Sequence, residues 1–373
     1  MYLHLPFCRR RCPYCAFAAV AGAEQLIPAY LTALRRELAR RAPHWQGRTL
    51  QSIYCGGGTP SLIPAEELTA LVAECRRTWG AEAEALETTV EVNPATIDEA
   101  ALSILRRGGV NRLSIGVQSL RDDELRTLGR LHDAATAVAT VRQARSAGFN
   151  NLGIDLIFGL PGQTAAQWRE TLQRAIELTP EHISLYELTL EENTPFAARQ
   201  TQGTLALPPE EEVLAMMQLS ETLLPAAGLL RYEIANYARP GRESRHNRNY
   251  WQNGDYLGLG AAAVSCLNGR RWSNERDPAR YCEILQAGND PLVDEETLPP
   301  EARFRETVML GLRTIAGVDL AELQRRFGLD ARSYYGDTLN ALLRQGLLEL
   351  AGPHLRLTRT GLPLANRVMA ELI

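Results

Sequence analysis

At 373 residues the chain is long enough for two domains, or for one large barrel with an appendage. Hydrophobic residues make up 45% of it and charged residues 23%, an ordinary balance for a globular protein with a sizeable core, and no apolar run approaches membrane-spanning length. The formal net charge of −4 argues against a nucleic-acid-binding surface as the main feature.

Up to about residue 187 the pattern alternates, which predicts βα units around a parallel sheet. Strands are expected at 2–5, 52–54, 89–92, 112–115, 152–157 and 183–187. Helices are expected at about 28–42, 64–78, 98–107, 121–146 (with a break) and 164–178. Pro28 and Pro64 suit first-turn positions, where a missing N–H costs nothing. Six strands make a partial barrel, open on one side, and in parallel barrels chemistry gathers at the C-terminal strand ends. Regularity then fades into a helix at 209–227, a short strand at 232–234 and a loop rich in Arg, Asn and Gly at 239–255. Helices from 299 lead to a two-stranded wing at 347–350 and 354–357 and a last helix at 361–371. The expected fold is α/β: a partial (β/α)6 TIM-like barrel over 1–235, then a smaller helical, winged-helix-like domain over 236–373. The chain opens directly into its first strand, which leaves no room for a targeting peptide and gives a cytoplasmic protein without a membrane anchor as the expectation.

Seven cysteines is an odd number, and three of them cluster, so no disulfide framework is expected. Cys8, Cys12 and Cys15 follow the first strand in a C-x3-C-x2-C loop. Each thiolate can hold one iron of a four-iron, four-sulfur cube, leaving the fourth iron free to bind a small molecule. Zinc is the competitor, but structural zinc takes four protein ligands with paired C-x2-C spacing. No second pair follows here, and a strand separates His4 from Cys8. Cys55, Cys75, Cys266 and Cys282 stand alone and read as small buried hydrophobes. All forty basic residues are arginines, so lysine Schiff-base chemistry and a phosphate-loop lysine are excluded.

Further motifs fall at the strand ends. The run Cys55-Gly56-Gly57-Gly58-Thr59-Pro60 follows the second strand, and its glycines let backbone approach a ligand, or simply make a tight turn. Glu91 ends the third strand and Gln118 follows the fourth. Arg130, in Leu128-Gly129-Arg130-Leu131-His132, suits a carboxylate ligand or is a solvated helix-end charge. Asp155 is an acid inside an apolar strand, expensive to bury unless paired or ligand-bound. Arg9, Arg10 and Arg11 form either a solvated loop face or an attraction for an acidic electron donor. In His246-Asn247-Arg248-Asn249-Tyr250-Trp251 an imidazole is flanked by aromatics. It reads either as an iron ligand beside a porphyrin-packing surface or as a loop histidine with Trp251 as a core anchor.

Taken together, the cysteine loop and these motifs resemble the radical S-adenosylmethionine (SAM) proteins of the coproporphyrinogen-dehydrogenase-like group, and within it the HemW haem-chaperone family, over nearly the whole chain. The resemblance implies a [4Fe–4S] cluster on Cys8, Cys12 and Cys15 whose open iron chelates SAM, with reductive cleavage to a 5′-deoxyadenosyl radical. It implies SAM contacts at Tyr2, Tyr14, Gly57, Gly58, Thr59, Glu91, Gln118, Arg130 and Asp155. It makes His246, in the HNxxYW motif, a haem contact. The implied partners are haem, a haem-acceptor protein and a flavodoxin- or ferredoxin-like electron donor.

The alternative within the group is an oxygen-independent coproporphyrinogen III oxidase. The oxidase carries a further cysteine where this chain has Phe17, and an N-terminal extension where this chain begins its first strand at Tyr2. Both differences favour haem handling. Ala16, in place of the usual aspartate, and Val264, in place of the histidine of a G-A-H-S stretch, depart from the chaperone pattern.

Overall fold

Strand formation follows the apolar runs. Tyr2–Leu5 (β1), Ser52–Gly57 (β2), Glu87–Val92 (β3), Arg112–Gln118 (β4), Leu152–Phe158 (β5) and His182–Glu187 (β6) pair in chain order, every neighbour parallel. This arrangement is a computed structural model describing residues 1–80 and 86–373. The intervening helices are Ile27–Arg41 (α1), Ala65–Trp79 (α2), Glu99–Arg107 (α3), Asp122–Thr127 (α4), Ala134–Ser146 (α5) and Ala165–Glu177 (α6). The expected break in the fourth crossover is the α4–α5 junction, where Gly129 takes a left-handed φ of 67° and Asp133 caps α5. Pro28 lies in the first turn of α1 as expected, whereas Pro64 is the residue just before α2.

The sheet stays open. Gly258–Leu259 extends it in parallel beside β1, and Asn236–Ala238 pairs antiparallel with β6, with Leu230–Arg231 beyond. The barrel is therefore partial, with α/β architecture as read from the sequence. Side chains alternate across each strand, and the inward positions are polar. Glu87, Thr89 and Glu91 share one face of β3, Arg112 and Ser114 one face of β4, and His182 and Ser184 one face of β6. Apolar residues of the other face pack under the helices, with Leu113, Ile115, Leu152 and Ile154 fully buried.

β2 runs further than expected because its glycines are paired strand residues: His4 lies opposite Gly56 and Leu5 opposite Gly57. A Cβ on Gly57 would come within 2.6 Å of the His4 ring, and one on Gly58 within 2.7 Å of the Phe7 carbonyl oxygen. The residue type is thus set by the close passage of β1.

Beyond the barrel, the expected loop at 239–255 contains a helix, Arg245–Trp251, with Ser244 as its side-chain cap. Two carboxylate oxygens of Glu87 accept from the backbone N–H groups of Arg245 and His246 at 3.0 Å each, so β3 fixes the start of that helix. Residues 257–285 pack into the barrel core through Leu257, Leu259, Trp272, Tyr281 and Leu285. A separate core gathers Phe304, Val308, Leu312, Leu339, Leu342 and Val368 around the three-stranded sheet of Val318–Asp319, His354–Leu357 and Leu348–Ala351. The wing is present, with one short strand added, and the last α-helix is Ala365–Ala370. Cys55, Cys75 and Cys266 are buried, while Cys282 is only partly so. Among the described residues no helix is long and apolar enough to cross a membrane.

Glu37 ties α1 to residues 260–281. Fully buried, it accepts from Gly260 N–H (2.9 Å), Tyr281 hydroxyl (2.6 Å) and the Asn274 amide (2.7 Å), with Arg41 at 3.6 Å. Removing the carboxylate strands these donors. Glu37→Ala should lower unfolding free energy by about 3 kcal/mol, read from denaturant titration; a loss below about 1 kcal/mol would mean that the network contributes little.

Candidate functional site

The C-terminal strand ends border a cleft of about 420 Å³. Its rim is the cysteine loop. Phe7–Cys8 pairs with Val20–Ala21, which folds residues 9–19 back on themselves, and the Cys15 N–H bonds to the Cys12 carbonyl at 3.2 Å. Cys8, Cys12 and Cys15 are all half-buried and line the cleft. Burial pushes the Cys8 and Cys15 thiols up, and the neighbouring thiols add to it. Among the described residues no three His, Cys, Asp or Glu side chains converge on one metal-ion position. Two of the thiols are supplied with a side-chain donor. Thr59 Oγ1 donates to Cys8 Sγ at 3.5 Å, and Arg130 Nη1 to Cys12 Sγ at 3.6 Å. Arg130 is held from behind by the Gly116 carbonyl at 3.0 Å, and its Nε is buried without an acceptor.

The floor carries two carboxyl groups. Glu91 accepts from the Tyr54 hydroxyl (2.9 Å) and the Gly57 N–H (3.2 Å). Burial, with the charge of Asp155 added, pushes its pKa up to about 7. Asp155 accepts from Ser114 Oγ at 3.0 Å and is also raised by burial, against the opposing pull of its serine partners and of Arg112. Gln118 stands on a bulge between β4 and β5 with φ of 67°, a left-handed value rare for a residue with a Cβ. Tyr14 forms a wall, its ring 6.3 Å from that of Phe196. Gly57, Gly58 and Thr59 also line the cleft.

The expected residues Cys8, Cys12, Cys15, Tyr14, Gly57, Gly58, Thr59, Glu91, Gln118, Arg130 and Asp155 are thus brought to one cleft. Tyr2 and His246 are not. Tyr2 begins β1, inside the barrel below the cleft, with its hydroxyl 3.0 Å from His4 Nδ1. His246 is 4% exposed, with Nδ1 3.0 Å from Ser52 Oγ. Its ring stacks on Tyr54 at 4.9 Å and meets Tyr250 edge-on at 4.9 Å. Burial holds its pKa well below the ordinary value, so it is a neutral imidazole, and neither nitrogen faces an opening in this conformation. It is a helix histidine bonded to a side chain, where the second sequence reading expected a loop histidine. Sequence reasoning missed Tyr54, Ser114 and Arg112. The signal available was period two: Arg112 and Ser114 share the strand face that leads to Gly116 and Gln118.

Three thiols on one loop above a carboxylate-lined parallel barrel define a radical SAM protein. A family model described as the Radical SAM superfamily matches residues 2–175, and one described as the HemN C-terminal domain matches residues 298–364. The chain is 34% identical over 372 residues to heme chaperone HemW of Bacillus subtilis, covering 100% of this chain and 98% of that protein. It is 35% identical to heme chaperone HemW of Mycobacterium tuberculosis, covering 100% and 94%. The structure of coproporphyrinogen III oxidase (HemN) from Escherichia coli, a radical SAM enzyme, superposes with a TM-score of 0.86 at 26% identity, covering 100% of this chain and 89% of that one. The chain belongs to the HemW family of radical SAM proteins. Membership implies a [4Fe–4S] cluster and SAM as cofactors.

The raised carboxyl of Glu91 has a signed consequence. The folded chain holds this proton more tightly than the unfolded chain, so its stabilising effect is complete below about pH 4.5 and lost as pH rises through about 7. Above that, a buried charge is carried at a cost. Without SAM, Glu91→Gln should therefore gain on the parent protein between pH 5 and pH 8, by a few degrees in Tm. A difference that stays flat with pH would show that the carboxyl keeps an ordinary pKa.

Proposed function

We propose that Cys8, Cys12 and Cys15 ligate the [4Fe–4S] cluster, that SAM lies across the strand ends, and that the protein binds haem and passes it to an acceptor protein. The observation that carries the SAM assignment is the pairing of two burial-raised carboxyls with three thiols in one cleft. A cationic ligand relieves the penalty on ionised Glu91 and Asp155, and SAM brings an ammonium and a sulfonium. The cluster and SAM, when bound, supply one-electron chemistry. In this reading Thr59 and Arg130 lower charge density on the thiolates by donating to sulfur, which favours the reduced state. Gly57, Gly58 and Glu91 receive the amino acid end, Arg130 the carboxylate, and Gln118, Asp155 and Tyr14 the nucleoside side. Tyr2 acts from below by packing under Tyr54, their rings 6.2 Å apart.

The haem part rests on the HemW relatives, whose name states a heme chaperone. The superposition on HemN favours the oxidase as a second reading, but Phe17, 69% exposed at the cleft rim, supplies no sulfur to reacting groups there. Arg10 and Arg11, exposed beside the cysteines, suit an acidic flavodoxin- or ferredoxin-like donor. The barrel unit carries the cofactors in this reading.

After anaerobic reconstitution, iron and sulfide should reach about four each per chain. Asp155→Ala should leave that content unchanged while weakening SAM binding by about ten-fold. One zinc per chain without sulfide would overturn the cluster, and unchanged SAM affinity would remove Asp155. The chaperone reading is tested by titrating haem and assaying porphyrinogen conversion on the same preparation. A Soret shift without conversion is expected; conversion without haem binding would favour the oxidase.

A further inference from the structure

A second cleft, of about 960 Å³, lies between the Arg245–Trp251 helix and the C-terminal unit. It has more than twice the volume of the cysteine-lined cleft. The size decides what each can hold. A cluster and SAM occupy the smaller one, leaving no room for a rigid macrocycle, whereas the larger falls at the upper end of small-molecule sites.

The helix divides its side chains between the two regions. His246 and Tyr250, four apart, turn towards the barrel, where their rings meet. Arg248 and Trp251, three apart, line the second cleft. Across from them, Ile315, Val318 and Leu323 of the C-terminal unit supply apolar wall, and His354 offers a half-buried imidazole. Trp251 Nε1 is buried with no acceptor, a donor that a ligand oxygen would satisfy.

Two guanidinium groups of the cleft are open to an anion. Five arginines line the cleft against three acids. Arg231, Arg325 and Arg356 are each paired with a glutamate, and Asp319 is engaged in capping the next helix. Arg326 donates to the Gln252 and Asn253 carbonyls at 3.0 and 3.2 Å and forms no ion pair within bonding distance among the described residues. Arg248 is exposed and its side chain makes no hydrogen bond or ion pair among the described residues. Glu243 also faces the cleft, so its charges balance once the paired glutamates are counted, and Arg248 and Arg326 are the guanidinium groups placed to meet a carboxylate.

We propose that this cleft is the haem site, with the macrocycle against Trp251, Ile315, Val318 and Leu323, the propionates towards Arg248 and Arg326, and the iron towards His354. The inference rests on the haem reading above and moves the iron away from His246. Neutral imidazole is a common haem-iron ligand, and guanidinium groups grip carboxylates.

The test is a spectroscopic titration of ferric haem into the full chain, His354→Ala, His246→Ala and Arg248→Glu, with SAM binding by the reconstituted proteins as the check on folding. His354→Ala should shift the Soret maximum of the complex, and His246→Ala should leave it in place. Arg248→Glu should weaken haem binding by about ten-fold, and the dimethyl ester of haem should bind this variant and the parent alike. Haem binding that is unchanged by both His354→Ala and Arg248→Glu would overturn this site while leaving the haem reading intact. No binding of haem by the parent would remove both.

Discussion

The passage of β1 across the glycines of β2 is the constraint on which the site depends. His4 and Leu5 lie opposite Gly56 and Gly57, and the Gly58 and Thr59 N–H groups bond to the Leu5 and Phe7 carbonyls at 2.9 and 2.8 Å. No side chain fits between these strands. The contact carries the chain directly from β1 into the cysteine loop, sets Thr59 beside Cys8, and leaves the Gly57 N–H facing Glu91. Flexibility is thus the lesser role of the three glycines. Their main contribution is to let the thiol-bearing loop close over the barrel mouth.

Beneath that mouth the barrel interior is a low-dielectric box filled with polar side chains. Arg112, 2% exposed, opposes the rise in pKa of both Glu91 and Asp155, but burial outweighs it. The carboxyls therefore gain from any cation that enters. The same burial neutralises His246 and His182, which serve here as shaped, bonded rings: His182 Nε2 lies 2.9 Å from the Tyr232 hydroxyl. The inward faces of β3, β5 and β6 thus carry the carboxyls of the floor together with a neutral imidazole.

The Arg245–Trp251 helix connects the two halves of the molecule. Its first turn is held by Glu87 of β3, its inner face stacks on Tyr54, and Tyr54 bonds to Glu91 in the cysteine-lined cleft. Its end meets the C-terminal unit, where Arg326 bonds to the carbonyls after Trp251 and Arg313 lies over the indole at 4.6 Å. A continuous set of packed and hydrogen-bonded groups therefore runs from the C-terminal unit to the floor of the first cleft.

The sequence alone determined the six parallel strands, most helix positions and the cysteine loop, because periodicity, capping residues and thiol spacing are local properties. Eleven of the thirteen residues it singled out, such as Cys8, Glu91 and Asp155, line one cleft. Tertiary structure alone decided the rest. Period two tells which residues share a face, but not that Tyr54 would reach Glu91 or Ser114 would reach Asp155. Composition read 239–255 as a loop, and a distant carboxylate, Glu87, organised a helix within it. The burial of His246 likewise depends on Ser52 and Tyr54, nearly two hundred residues earlier in the chain. Whether a polar side chain faces a ligand or the interior is set by partners remote in sequence, and local pattern carries no record of them.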